Sequence, residues 1–187
     1  KQDYKFGVLY AHIGLGQAYI MLGDSTAINH LGQAKLLAES EKNDSALCSI
    51  YNGMGLYASN IHRDYYSALH YFFEGIEATH RCQYQELEAI LLGNISSIYY
   101  LKDDPTGLTY SLQIYELGHQ LNSAYLIFIG ALNASYMYYL LHEYDKALPY
   151  IQEAEFIMKQ NEYYNQGNVY AIYGMIEFAK GNRDQAV

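Results

Sequence analysis

Tryptophan is absent from the 187 residues, and proline and cysteine occur only twice each. The two prolines, Pro105 and Pro149, and the lack of any long Ser, Gly or Pro stretch leave no linker, so residues 1–187 read as a single domain. Cys48 and Cys82 are too few for a disulfide framework and too far apart for a CxxC pair, which fits a reducing compartment; the cytoplasm is the expected location. Basic residues are also scarce, 11 against 20 acidic, and the net charge of -9 repels phosphate backbones, which argues against direct nucleic-acid binding. Long apolar runs are missing too. Lys1 to Leu9 hold no sustained one, and Ala124 to Leu132 is too short to cross a bilayer, so no membrane segment is expected.

What the chain does have is self-similarity. Small residues stand at Gly16, Gly55, Ser96, Ser135 and Gly174, at intervals of 39, 41, 39 and 39 residues. A second marker falls at Ala27, Ala68, Leu108, Ala147 and Ala186, at intervals of 41, 40, 39 and 39. Both give a period of about forty. Between the markers lie polar stretches such as Leu22-Gly23-Asp24-Ser25, His62-Arg63-Asp64 and His142-Glu143-Tyr144-Asp145, rich in residues that turn a chain and start a helix. The pattern predicts helices over 4–22, 26–41, 45–61, 65–81, 84–101, 105–121, 124–141, 145–160 and 164–180, then the start of a tenth, with no strand. Paired, these make repeats at 4–41, 45–81, 84–121, 124–160 and a truncated 164–187. The third copy is irregular, with Leu108 and Tyr115 where small residues are expected, which predicts that its two helices pack further apart or at a different angle.

Gly16 with Tyr19, Ser96 with Tyr99 and Ser135 with Tyr138 pair a small residue with a tyrosine three later. Ala27-Leu31-Ala34, Ala68-Phe72-Gly75 and Ala147-Ile151-Ala154 pair a small residue with a bulky one four later and a second small one seven later. By these residues the chain resembles the tetratricopeptide-repeat (TPR) family, in its long-period form. The resemblance implies an all-α fold, a right-handed α-α superhelix of about four and a half helical hairpins. Such a TPR-like solenoid presents an extended concave face.

In that family the first helix of each pair lines the inner face, and an Asn two residues before the small position often bonds the backbone of a bound peptide. Asn94 and Asn133 match this place, and Asn52 lies one residue out of register. The resemblance thus makes them candidate ligand contacts, with Gln17, Tyr100, Tyr136, Tyr139 and Phe178 projecting beside them. An exposed Asn both donates and accepts, which suits an extended backbone, and Tyr offers large area with a polar tip. The same asparagines could instead bond neighbouring helices, and many of the 23 tyrosines could be core or boundary residues. The Lys and Arg side chains that clamp a terminal carboxylate in some relatives have no counterpart here, so a neutral or basic ligand is expected.

Catalytic and metal signatures are missing. Gly14-Leu15-Gly16 and Gly53-Met54-Gly55 fall inside predicted helices, not after strands, so they are packing glycines and not phosphate loops. His62 with His70, or His80 with Cys82, do not close a metal-ligand set. The Asn94-Ile95-Ser96 and Asn133-Ala134-Ser135 sequons lie on the packing signature and are not expected to be glycosylated. The expectation is a non-enzymatic module without cofactor or metal, binding a protein or peptide. Long-period arrays resemble sensory regions of bacterial signalling proteins and transcription regulators, and the pattern breaking off at Asp184 suggests a fragment of such a protein. The alternative is a structural oligomerisation scaffold, with the tyrosine face pairing with a second copy in a homodimer.

Overall fold

The computed structural model describes residues 2–161 and 166–182. Its elements are α1 (Gln2–Met21), α2 (Ala27–Ser40), α3 (Asp44–Asn60), α4 (Tyr65–Cys82), α5 (Gln85–Leu101), a 3₁₀ turn (Pro105–Gly107), α6 (Leu108–Gln120), α7 (Ala124–Leu140), α8 (Tyr144–Asn161) and α9 (Gln166–Ala179). Among the described residues there is no strand. The fold is all-α, and the helix boundaries follow the sequence expectation closely. The expected start of a tenth helix, with its marker Ala186, lies outside the described residues.

The reversals among the described residues share one device. One residue takes a left-handed conformation, at Gly23, Lys42, Arg63, Gln83, Asp103, Asn122, His142 and Gly181, so from Gly23 to His142 the turns recur at half the sequence period. The residue just after the left-handed one donates its N–H back to a carbonyl of the last helical turn: Asp24 to Tyr19, Asn43 to Ala38, Asp104 to Tyr99, Ser123 to Gly118 and Glu143 to Tyr138, each at 2.9–3.0 Å. These bonds satisfy carbonyls that the helix end would otherwise leave unpaired. A capping side chain then starts the following element. Asn43 accepts from Ala46 N at 3.0 Å, Asp64 from Ser67 N at 3.1 Å and Asp104 from Thr106 N at 3.0 Å.

The chain divides into two compact units, Lys1–Leu91 and Leu92–Val187, with the division inside α5. In the first, α1 packs on α2 and α3, α2 on α3, and α3 on α4. In the second, α7 is central and touches α6, α8 and α9, while α8 also meets α9. Within each unit, contacts run between elements adjacent in sequence or next but one, the nearest-neighbour order of a helical solenoid.

The small and bulky markers meet as their spacing predicts. A Cβ placed on Gly16 would lie 2.7 Å from the Leu31 side chain, and one on Gly55 would lie 2.3 Å from the Phe72 ring. Leu31 and Phe72 are both fully buried. In these two hairpins the bulky residue of the second helix thus occupies space that a side chain on the first helix would need.

The third hairpin corrects the sequence reading. Its marker is Gly107, not Leu108: Gly107, Ser111, Ile114 and Gly118 are all buried, at the offsets of Ala27, Leu31, Ala34 and Ala38. Pro105 favours the first position of the Pro105–Gly107 turn, which leads straight into α6 and sets Gly107 at the start of this buried face. Nor is this hairpin open at that point, since a Cβ on Gly107 would fall 2.5 Å from Tyr99 Cβ. Bulk is exchanged along the helix, with small Ser111 replacing the Leu31 type and Ile114 replacing the Ala34 type.

Candidate functional site

Three of the predicted contact residues come together in the second unit. The Tyr100 and Tyr136 rings lie 4.5 Å apart, and Tyr136 stacks on Tyr139 at 6.2 Å. The row continues to Tyr144 at 5.9 Å from Tyr139, and His142 stands edge-on to Tyr144 at 6.0 Å. It runs from the end of α5, across the last turns of α7, to the first residue of α8. Tyr100, Tyr136, Tyr139 and Tyr144 are all partly buried, so each ring packs while leaving surface for a partner.

Hydrogen bonds fix the row. Tyr136 donates its hydroxyl to Asp103 Oδ1 at 2.5 Å, tying the turn after α5 to α7. That bond, and burial after it, push the Tyr136 hydroxyl up to about 12, while burial and then Asp103 raise Tyr100. His142 Nδ1 and the Tyr144 hydroxyl are 2.8 Å apart. Beyond Tyr144 a depression of about 480 Å³ is lined by His142, Glu143, Tyr144, Asp145, Lys146 and Lys180. Its charges are paired, Lys146 with Glu143 at 2.5 Å and Lys180 with Asp145 at 2.6 Å.

The Asp103 bond makes stability depend on pH. The native hydroxyl holds its proton to about 12 against an ordinary value of 10, so the bond's contribution is complete below pH 10 and fades as pH climbs toward about 12. Urea midpoints for the native chain and Tyr136→Phe should therefore converge over that alkaline window. A gap that stays constant would show that the bond does not govern the titration.

The asparagines behave differently. Asn133 is 7% exposed and donates Nδ2 to Ser96 Oγ at 3.0 Å, from α7 to α5. Ser96 and Ser111 are 2.9 Å apart, and Ser111 donates to the Gly107 carbonyl at 3.0 Å. One direction satisfies the whole chain: Asn133 N–H to Ser96, Ser96 O–H to Ser111, Ser111 O–H to the backbone. Asn133 thus bonds α7 to α5, the helix-to-helix arrangement that its residue type left open. Asn94 is partly buried on α5, and Asn52 partly buried on α3 of the first unit. Gln17 is exposed on α1, also in the first unit, and Phe178 is 63% exposed on α9.

Sequence reading overlooked Tyr144 and His142, which sit in a turn assigned as polar connection. It also overlooked a second tyrosine group on the neighbouring helices. Tyr150 stacks on Tyr138 at 5.6 Å and meets Tyr115 edge-on at 5.2 Å, while Tyr115 donates to Glu153 at 2.5 Å, joining α6 to α8. Lys146 Nζ lies 5.8 Å over the Tyr138 ring, which shows that this surface accepts a cation. In the first unit His12 and His30 meet Nδ1 to Nδ1 at 3.0 Å, a contact that needs one ring to donate and the other, neutral there, to accept. Among the described residues no group of three or more His, Cys, Asp or Glu is placed to hold a metal, and no helix is long and apolar enough to cross a membrane. Neither a protein-family model nor a curated protein matches the chain.

Proposed function

We propose that this chain is a non-enzymatic, TPR-type module that binds a protein or peptide through the tyrosine row of its second unit. The observation that carries the reading is the continuous Tyr100–Tyr136–Tyr139–Tyr144 series, with neighbouring rings 4.5–6.2 Å apart, carried by α5, α7 and α8. Tyrosines fixed by their neighbours give up little rotamer entropy on binding, and their hydroxyls can meet the backbone groups of an extended ligand. Two further features support a neutral or basic partner. The chain carries a net charge of -9, and Lys146 already rests on a tyrosine face in the same unit. The wider role that fits is the cytoplasmic sensory or interaction region of a larger bacterial signalling or transcription regulator.

The test is selection of binders from a random peptide library on the native chain, followed by titration against Tyr100→Ala/Tyr139→Ala. The double variant should bind the selected peptides at least about tenfold more weakly, the scale of one hot-spot residue, while its circular dichroism stays helical at the assay temperature. Equal binding by both chains would remove the row from the recognition surface. A concentration-dependent dimer that the same substitutions dissociate would favour the scaffold role instead.

A further inference from the structure

The two cysteines, 34 positions apart in sequence, meet in the first unit. Cys48, in the second turn of α3, is fully buried, and Cys82 closes α4 and is partly exposed. Their sulfurs are 3.6 Å apart, with both thiols reduced. A second bond spans the same two helix ends: Arg81, the neighbour of Cys82, donates Nε to Asp44 Oδ1 at 2.8 Å, one turn before Cys48. The approach of the sulfurs is thus held by packing of α3 on α4 and by an ion pair, not by the thiols alone. A disulfide needs them about 1.5 Å closer. The residue that must move is placed to do so, because Cys82 ends its helix and Gln83 already takes the left-handed conformation that lets the chain leave it.

We infer that Cys48 and Cys82 are a site of reversible two-electron oxidation, at which a small-molecule disulfide installs an intramolecular bond between α3 and α4. The exposures assign the order. Cys82, the reachable thiol, attacks one sulfur of the oxidant as its thiolate; the oxidant's S–S bond breaks, and its other half leaves as a thiolate. Cys48 then attacks the Cys82 sulfur of the mixed disulfide, the Cys48–Cys82 bond forms, and the second half of the oxidant leaves. The two protons lost by the cysteines go to the two departing thiolates, so one disulfide is reduced and one is formed. Burial, then the contact with Cys82, pushes the Cys48 thiol up to about 12, which makes it a poor first nucleophile; its resolving role rests on standing 3.6 Å from the Cys82 sulfur. The new bond would close the end of the α3–α4 hairpin opposite its turn at Ile61–Asp64.

The proposal is independent of the tyrosine row and is tested without a binding partner. The reduced chain is incubated with glutathione disulfide and followed by intact mass and peptide mapping. The expected product is a monomer lighter by two hydrogens, with Cys48 and Cys82 in one cross-linked peptide, melting roughly 10 °C higher, as expected for a loop of this length, and restored by dithiothreitol. Cys48→Ser should stop at the glutathione adduct on Cys82, which shows that the first step needs only the exposed thiol. Cys82→Ser should remain unmodified. A native chain that retains both thiols, accumulates the glutathione adduct with Cys48 free, or cross-links only between molecules would overturn the assignment.

Discussion

Gly130→Ala should destabilise the chain by about 2–3 kcal/mol, the cost of forcing bulk into a packed contact, although alanine is the better helix former. A Cβ on Gly130 would fall 2.5 Å from Tyr115 N and 2.7 Å from its Cα, so backbone, not a movable side-chain tip, stands in the way. Gly118 presents the reciprocal case, with its Cβ site 2.6 Å from Ile127 N. The two glycines, one on each helix, let α6 and α7 touch backbone to backbone at two points, and no rotamer change can relieve a methyl at either. Only separation of the helices can, and α7 is the helix on which α6, α8 and α9 all pack. Gly14→Ala supplies the control. That position lies in α1, is exposed and has nothing within 4 Å of its Cβ site, so the same change should stabilise by up to about 1 kcal/mol through helix propensity. Thermal unfolding of the two variants should move in opposite directions. A Gly130→Ala chain as stable as the native one would mean that α6 and α7 do not approach so closely.

The architecture was legible because a repeat states its packing several times over. Leu31 against Gly16 and Phe72 against Gly55 are the same contact, so an interval of about forty residues reveals it even where one copy departs. The third copy misled for a local reason: the marker interval varies between 39 and 41 residues, so counting by period lands on Leu108 and not on its neighbour Gly107, the last residue of the 3₁₀ turn before α6. Counting from Leu108 then makes a well-packed face look interrupted, although Gly107, Ser111, Ile114 and Gly118 complete it.

Site residues were only partly legible, because helical spacing shows which side chains share a face but not what the next element brings to it. Tyr100, Tyr136 and Tyr139 were placeable from their own helices. Tyr144 and His142 were not, since they join the row through the left-handed turn at His142, whose direction no periodicity encodes. The Cys48–Cys82 and His12–His30 pairs were equally invisible. Each depends on the register between two antiparallel helices, which shows only when both are docked.

Asn133 is where the two kinds of information diverge, and its energetics give the second large effect. Ser96→Ala should cost about 1–3 kcal/mol, because it strands the Asn133 amide in a buried site without an acceptor. Asn133→Leu alone removes the donor and leaves Ser96 still able to donate to Ser111, so its cost is dominated by fit. In the double variant Ser96→Ala/Asn133→Leu no donor is stranded, since Ser111 still reaches the Gly107 carbonyl. Its destabilisation should therefore fall short of the summed singles by about 1 kcal/mol or more, a coupling that urea unfolding of the four chains resolves. Additive costs would show that Asn133 and Ser96 do not share a bond, returning Asn133 to the surface as a candidate ligand contact. A clear coupling instead means that loss of partner binding on changing Asn133 reports a displaced α7, and that recognition must be sought along the tyrosines which that helix holds in line.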